Sequence, residues 1–246
     1  MAARKKRGSA STKAGADKRS AAKRTAAAER SSPLPAQRSC GTMSSHMRLL
    51  EMYPSFRDRL FKLEMQTEKF RSGALRVTTA PIVTIKVVVN VVYKDPSQNI
   101  SDAQIKSQIA VLNRDYRATN PDKSKVPIPF KGLVSDSRVQ FKLDRIRRVL
   151  TTKTSFSDDN GVKKASTGGV APIDTKKYLN MWVCALGGGL LGYAQFPGGP
   201  AATDGVVIHY RAFGNSGTAT APYDKGRSAT HEIGHYFNLR HIWGDT

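Results

Sequence analysis

The stretch HEIGHYFNLRH, from His231 to His241, gathers three of the chain's five histidines around one glutamate. His231 and His235 are four residues apart. On a helix that spacing places both imidazoles on one face, a turn apart, within reach of a single ion. Glu232 follows the first histidine, so its carboxylate projects beside such an ion rather than onto it. That is where the general base for a metal-activated water belongs. His241 lies six residues past His235 and returns to the same ion only if the helix stops and the chain turns sharply between them. Asn238 supplies the stop: helices commonly end on a residue in the left-handed conformation, where glycine is favoured and asparagine comes next. Three neutral imidazoles and a water make a tetrahedral catalytic zinc site. The spacing therefore predicts one Zn2+ held by His231, His235 and His241, with Glu232 as base.

A helix over 225–239 must carry these residues, and a sheet must position that helix. IVTIKVVVNVVY (82–93) is rich in β-branched residues, alternates in part and reads as a buried strand. Further strands are expected at 139–150, 178–186, 189–196 and 204–210. Between the first two, Ser101 to Tyr116 reads as a helix, with Ser101 and Gln104 as a capping box and Ile105, Ile109, Val111 and Leu112 as its apolar face. Strands in the middle, with one helix early and one late, make a mixed α/β domain. Upstream, Met47 to Phe70 carries Leu49, Leu50, Tyr53, Phe56, Leu60 and Leu63 at roughly helical spacing, with Pro54 near a helix start.

The formal net charge of +21 is uneven: residues 1–46 hold eleven Lys/Arg against two acids, a net +9. Residues 1–38, rich in Ala, Lys, Arg and Ser, have too little apolar surface to offset the entropy of ordering and are expected to be a disordered basic tail. Its charge could attract nucleic acid without sequence preference, but no aromatic residue is interleaved to stack on bases. No apolar run reaches the roughly 18 residues of a transmembrane helix. The basic N-terminus lacks the apolar core of a secretory signal. Two cysteines, Cys40 and Cys184, allow one bridge or two free thiols.

Three stretches, YLNMWVCALGGGLLGYAQFPGG, AATDGVVIHYRAFG and GRSATHEIGHYFNLRHIWGD, together resemble the pappalysin family of metzincins, in its cytophagalysin-like branch. HEIGHYFNLRH matches the metzincin motif with Asn238 at the glycine position. The resemblance runs from about Arg38 onward and is strongest from Tyr178. It implies a secreted zinc endopeptidase acting on proteins or peptides, with His231, His235 and His241 as ligands and Glu232 as base and proton shuttle. It implies a metzincin-like upper subdomain over 76–246, a twisted mixed sheet with a backing helix and an active-site helix. The family's lower subdomain and Met-turn lie downstream of the third histidine and are expected to be missing here. It further implies that Leu190, Leu191, Gly192, Tyr193 and Ala194 form an edge strand that pairs with substrate backbone. Finally, RSCGT is similar to the family's pro-segments. This makes Cys40 a latency ligand on the zinc and residues 39–75 a helical pro-segment, removed near 68–76.

Other features are weaker. Gly187, Gly189 and Gly192 match G-x-G-x-x-G, yet Pro197 to Pro200 leaves no room for the helix a dinucleotide fold needs. The turn Asp158-Asp159-Asn160-Gly161 lacks the spacing of an EF-hand loop, so the Ca2+ that family members bind has no legible site. His46 and His209 stand alone and are expected to be structural or exposed; Cys184, in an apolar pattern, reads as a small core residue. Two other readings stay open: a non-catalytic zinc- or peptide-binding relative, and a nucleic-acid binder led by the tail.

Overall fold

The computed structural model describes residues 34–37, 39–73 and 81–242. The expected basic tail thus lies outside the described residues except at 34–37, and so do residues 74–76 of the expected linker.

Five strands form one sheet in the order β2-β1-β3-β5-β4. They are β1 (Val83–Tyr93), β2 (Val139–Leu150), β3 (Tyr178–Cys184), β4 (Gly192–Ala194) and β5 (Val206–His209). All neighbours are parallel except β4, which runs antiparallel to β5. Six consecutive residues of β1, Val87 to Val92, are buried. An unbroken buried run marks a strand covered on both faces, as parallel sheets require.

The helices are α1 (Thr42–Met52), α2 (Pro54–Arg71), α3 (Asp102–Tyr116) and α4 (Arg227–Tyr236), with a single turn at Ile128–Lys131. Pro54 takes the first turn of α2, where its missing N–H costs nothing. Helix α3 crosses from β1 to β2 and buries the expected Ile105, Ile109, Val111 and Leu112. Ser101 caps it, accepting from Gln104 N at 3.2 Å. The reciprocal half of the expected capping box is not made. The Gln104 amide instead donates to the carbonyls of Phe213 (2.9 Å) and Tyr210 (3.2 Å), which are buried away from water. A neighbouring box that the sequence reading passed over, Asp95 with Gln98, is complete in both directions.

The strands expected on both sides of the glycine-rich turn are shortened, the first ending at Cys184 rather than Leu186. Gly188 and Gly189 have φ of 64° and 74°, left-handed values that no strand accommodates. Leu190 and Leu191 therefore lie before β4 rather than in it, and the strand expected over 189–196 is confined to Gly192–Ala194. The strand expected over 204–210 narrows to Val206–His209. Both cysteines are free thiols, and Cys184 is fully buried in β3. His46 is buried between the rings of Phe56 and Phe196. His209 accepts from Arg211 N through Nδ1 at 3.1 Å, and burial pushes its pKa down to about 4. Both are structural.

The backing helix α3 holds the start of α4. Gln108, fully buried, donates to Gly226 O at 3.0 Å and accepts from Gly214 N at 2.6 Å. Asp115 accepts from Thr230 Oγ1 at 2.6 Å and pairs with Arg227 at 3.1 Å. Replacing Gln108 by Met strands a buried donor and a buried acceptor, so about 1–3 kcal/mol of stability should be lost. Lys142→Ala, on the exposed side of β2, should change stability by less than about 0.5 kcal/mol. Urea unfolding of the two variants checks the contrast.

Candidate metal centre

Helix α4 begins after Gly226, whose φ of 69° turns the chain into it. It ends as the sequence predicts, on Asn238 with φ 71°. Leu239 N donates to Gly234 O at 2.9 Å and Asn238 N to His235 O at 2.8 Å, the paired bonds of a Schellman turn. The turn sends residues 239–241 back alongside the helix. The Leu239 carbonyl meets His235 Nδ1 at 2.7 Å. A carbonyl can only accept, so Nδ1 carries the proton and His235 Nε2 presents a lone pair.

The three Nε2 atoms converge. His231 and His235 are 3.1 Å apart, His235 and His241 3.1 Å, His231 and His241 3.2 Å. Nitrogens bound tetrahedrally to one ion at about 2.0–2.1 Å stand roughly 3.3 Å apart. The donor set thus fits a zinc ion in number, type and spacing. Glu232 is buried beside the histidines.

Cys40 joins the group. Its Sγ and the three histidine nitrogens all lie within 4.8 Å of one another. Burial, and then the charge of Glu232, pushes its thiol well above the ordinary range. A thiol so placed ionises only against a cation. Residues 39–41 lie along β4: Cys40 pairs with Gly192 in a parallel bridge, Gly41 N donates to Gly192 O at 2.9 Å, and Leu191 N donates to Ser39 O at 3.0 Å. The expected edge strand is therefore covered by the chain's own N-terminal segment. Tyr193 points inward, fully buried in the core with Trp182 and Cys184.

Sequence reasoning missed Thr42. Its hydroxyl donates to Glu232 Oε2 at 2.9 Å and accepts from Ala194 N at 2.9 Å. The only signal was its place two residues after Cys40. Asp158, read as part of an ordinary turn, anchors α1: its carboxylate and carbonyl take the Arg48 guanidinium at 3.2 and 2.8 Å, and Ser44 also bonds to it. Gly192 makes the site compact. A Cβ there would stand 2.8 Å from Val207 O and 2.9 Å from Glu232 Cγ.

A mostly parallel sheet over a helix bearing His-Glu-x-x-His, with a third histidine folded back across a tight turn, defines a metzincin-type metalloprotease. No family model matches the chain. The comparisons with individual proteins are specific. The chain is 31% identical to an extracellular metalloprotease of Arthroderma gypseum, over 87% of this chain and 63% of that protein. It therefore spans less than two thirds of that relative's length. Promirolysin of Tannerella forsythia, in a mutant form, is 42% identical with a TM-score of 0.73, over 84% of this chain and 71% of that one. Mature mirolysin in complex with a cleaved peptide is 49% identical, with a TM-score of 0.65 over 68% and 67%. The chain belongs to the pappalysin family of metzincin metalloproteases, to which these relatives point.

Asn238→Gly should keep or raise stability, because glycine adopts positive φ freely. Asn238→Val should cost about 1–2 kcal/mol and weaken metal binding. Cobalt titration followed by absorbance, with melting in the presence and absence of a chelator, reads both effects. Chelation should lower the melting temperature of the parent, and a parent indifferent to the chelator would contradict the site.

Proposed function

We propose that the chain carries the zinc site, the general base and the substrate-pairing strand of a secreted endopeptidase, and that residues 39–73 hold it latent. The convergence of three Nε2 atoms beside a buried glutamate is the observation that carries this reading. The extracellular relatives support secretion. Among the described residues no helix is long and apolar enough to cross a membrane.

His231, His235 and His241 would hold the zinc. When bound, zinc acidifies water to near neutrality and polarises the carbonyl to be attacked. Glu232 takes the proton of the attacking water on its carboxylate and hands it to the leaving amine. The Gly192 carbonyl and the Ala194 N–H hold the substrate backbone as an added strand, which fixes the scissile carbonyl over the histidines.

Latency follows from who uses these groups now. Cys40 stands where water would bind, Thr42 occupies the Glu232 carboxylate and the Ala194 N–H, and Gly41 occupies the Gly192 carbonyl. Activation is cleavage beyond α2, whose last turn exposes Lys69 and Arg71. The Asp158 carboxylate is engaged by Arg48 and Ser44, which ties the segment's first helix to the domain.

In the chain cut beyond α2 and freed of its N-terminal piece, Glu232→Ala should lower kcat on a quenched peptide by about 10^2–10^4-fold while leaving zinc content unchanged. Cys40→Ala should raise the activity of the uncut chain, and Thr42→Val should raise it by less. A Glu232→Ala variant as fast as the parent would overturn the enzyme reading. A Cys40→Ala variant as silent as the parent would overturn the role of the thiol.

A further inference from the structure

Phe196 is the one residue outside the N-terminal helices in a small buried cluster. Its buried partners there are Leu49 of α1 and Phe56 of α2, with Met43, Leu50 and Tyr53 packed around them. His46 meets its ring edge-on, centroids 4.8 Å apart. Two further neighbours come from the metal-site helix and the turn after it. The Arg240 guanidinium carbon lies 4.0 Å from the Phe196 ring centroid, and the His235 ring stands 5.6 Å away. A fully buried phenyl ring thus sits beside a metal-site imidazole, and its apolar cover comes from the segment that activation removes.

We propose that Phe196 is the floor of a substrate subsite for a large apolar side chain, a place that Leu49 and Phe56 fill in the latent chain. The inference rests on the protease reading above. Three observations carry it. The ring is continuous with the pairing strand, two residues past Ala194. Its cover is apolar, and losing that cover leaves a hydrophobic surface that only another apolar group restores. The guanidinium above the ring adds a cation–π contact that holds ring and arginine in place once the helices are gone.

The direction of the strand assigns the side of the scissile bond. β4 runs from Gly192, opposite Cys40 and hence at the metal, through Ala194 toward Phe196. The latency segment lies parallel to it. A substrate paired antiparallel, the stronger arrangement, passes Phe196 before it reaches the metal. The subsite therefore takes a residue N-terminal to the cleaved bond.

The test uses the full chain, cut at the exposed end of α2 and freed of its N-terminal piece. Quenched peptides differ in one residue, Gly, Leu or Phe, placed at successive positions on either side of the bond. Leu and Phe should be preferred over Gly by about 10- to 100-fold in kcat/KM at one N-terminal position. Phe196→Ser should collapse that ratio, and Phe196→Leu should keep most of it. A second readout does not need turnover: binding of the same peptides to the Glu232→Ala variant, by calorimetry, should show the same ranking and the same loss with Phe196→Ser. A chain that binds these peptides with the predicted ranking but cuts none would break the protease reading and leave the subsite standing. Equal ratios in the parent and Phe196→Ser, or a Phe196-dependent preference on the C-terminal side, would overturn the proposal.

Discussion

Three imidazole nitrogens held 3.1–3.2 Å apart present the spacing that a single tetrahedral cation requires. That constraint governs the surrounding architecture. Two of the nitrogens are aligned by helical periodicity alone. The third depends on a left-handed residue at Asn238, and the Leu239 carbonyl that the same turn delivers fixes the proton on His235 Nδ1. One backbone reversal thus brings in a ligand candidate and sets the tautomer of another. The helix must itself be anchored, and Gln108, Asp115 and Tyr116 tie its first turn to the backing helix. A shift of an ångström there would open the triangle at its far end.

The second constraint is crowding between the short strand β4 and the active-site helix. Gly192 lets Glu232 pack against the strand with no side chain between them. Cys40 lies alongside the same glycine through a parallel backbone bridge. A short segment thereby meets three distinct demands, each with the chemistry proper to it. A sulfur faces the nitrogens, a hydroxyl faces the carboxylate and an amide faces the strand carbonyl. Thr42 is the economical member, because a hydroxyl donates and accepts at once and so satisfies Glu232 and Ala194 together.

The metal site was legible because its information is local. Residue type and spacing over His231 to His241 specify a helix, a stop and a return, and the structure realises each. The strand segments and the backing helix were likewise visible in β-branched runs and a Ser cap, whereas their order in the sheet was not. What escaped was long-range. Nothing near Thr42 signals a glutamate 190 positions away. Gln104 had the right spacing for a box but met buried carbonyls 106 and 109 residues on, and a stranded buried carbonyl outweighs a solvent-accessible cap. The edge strand was drawn too long because consecutive left-handed glycines look, in sequence, like a flexible flank rather than a break.

Under the latency proposed above, tethering explains how modest contacts would hold such a site shut. A cysteine, a threonine and one added strand bond would make a weak inhibitor as a free peptide. Joined to the domain, they act at the effective concentration set by the tether, which for short connections is on the order of millimolar. Helices α1 and α2 raise this further by docking through the Phe196 cluster, the Asp158 contacts and the bond from Asn238 to Glu64 at 2.9 Å. A single cut beyond α2, as proposed, would change none of these contacts. It would remove the tether, so dilution could carry the segment away once it first dissociates. The groups then exposed, an apolar ring, a strand edge and a carboxylate, are those an extended peptide can engage.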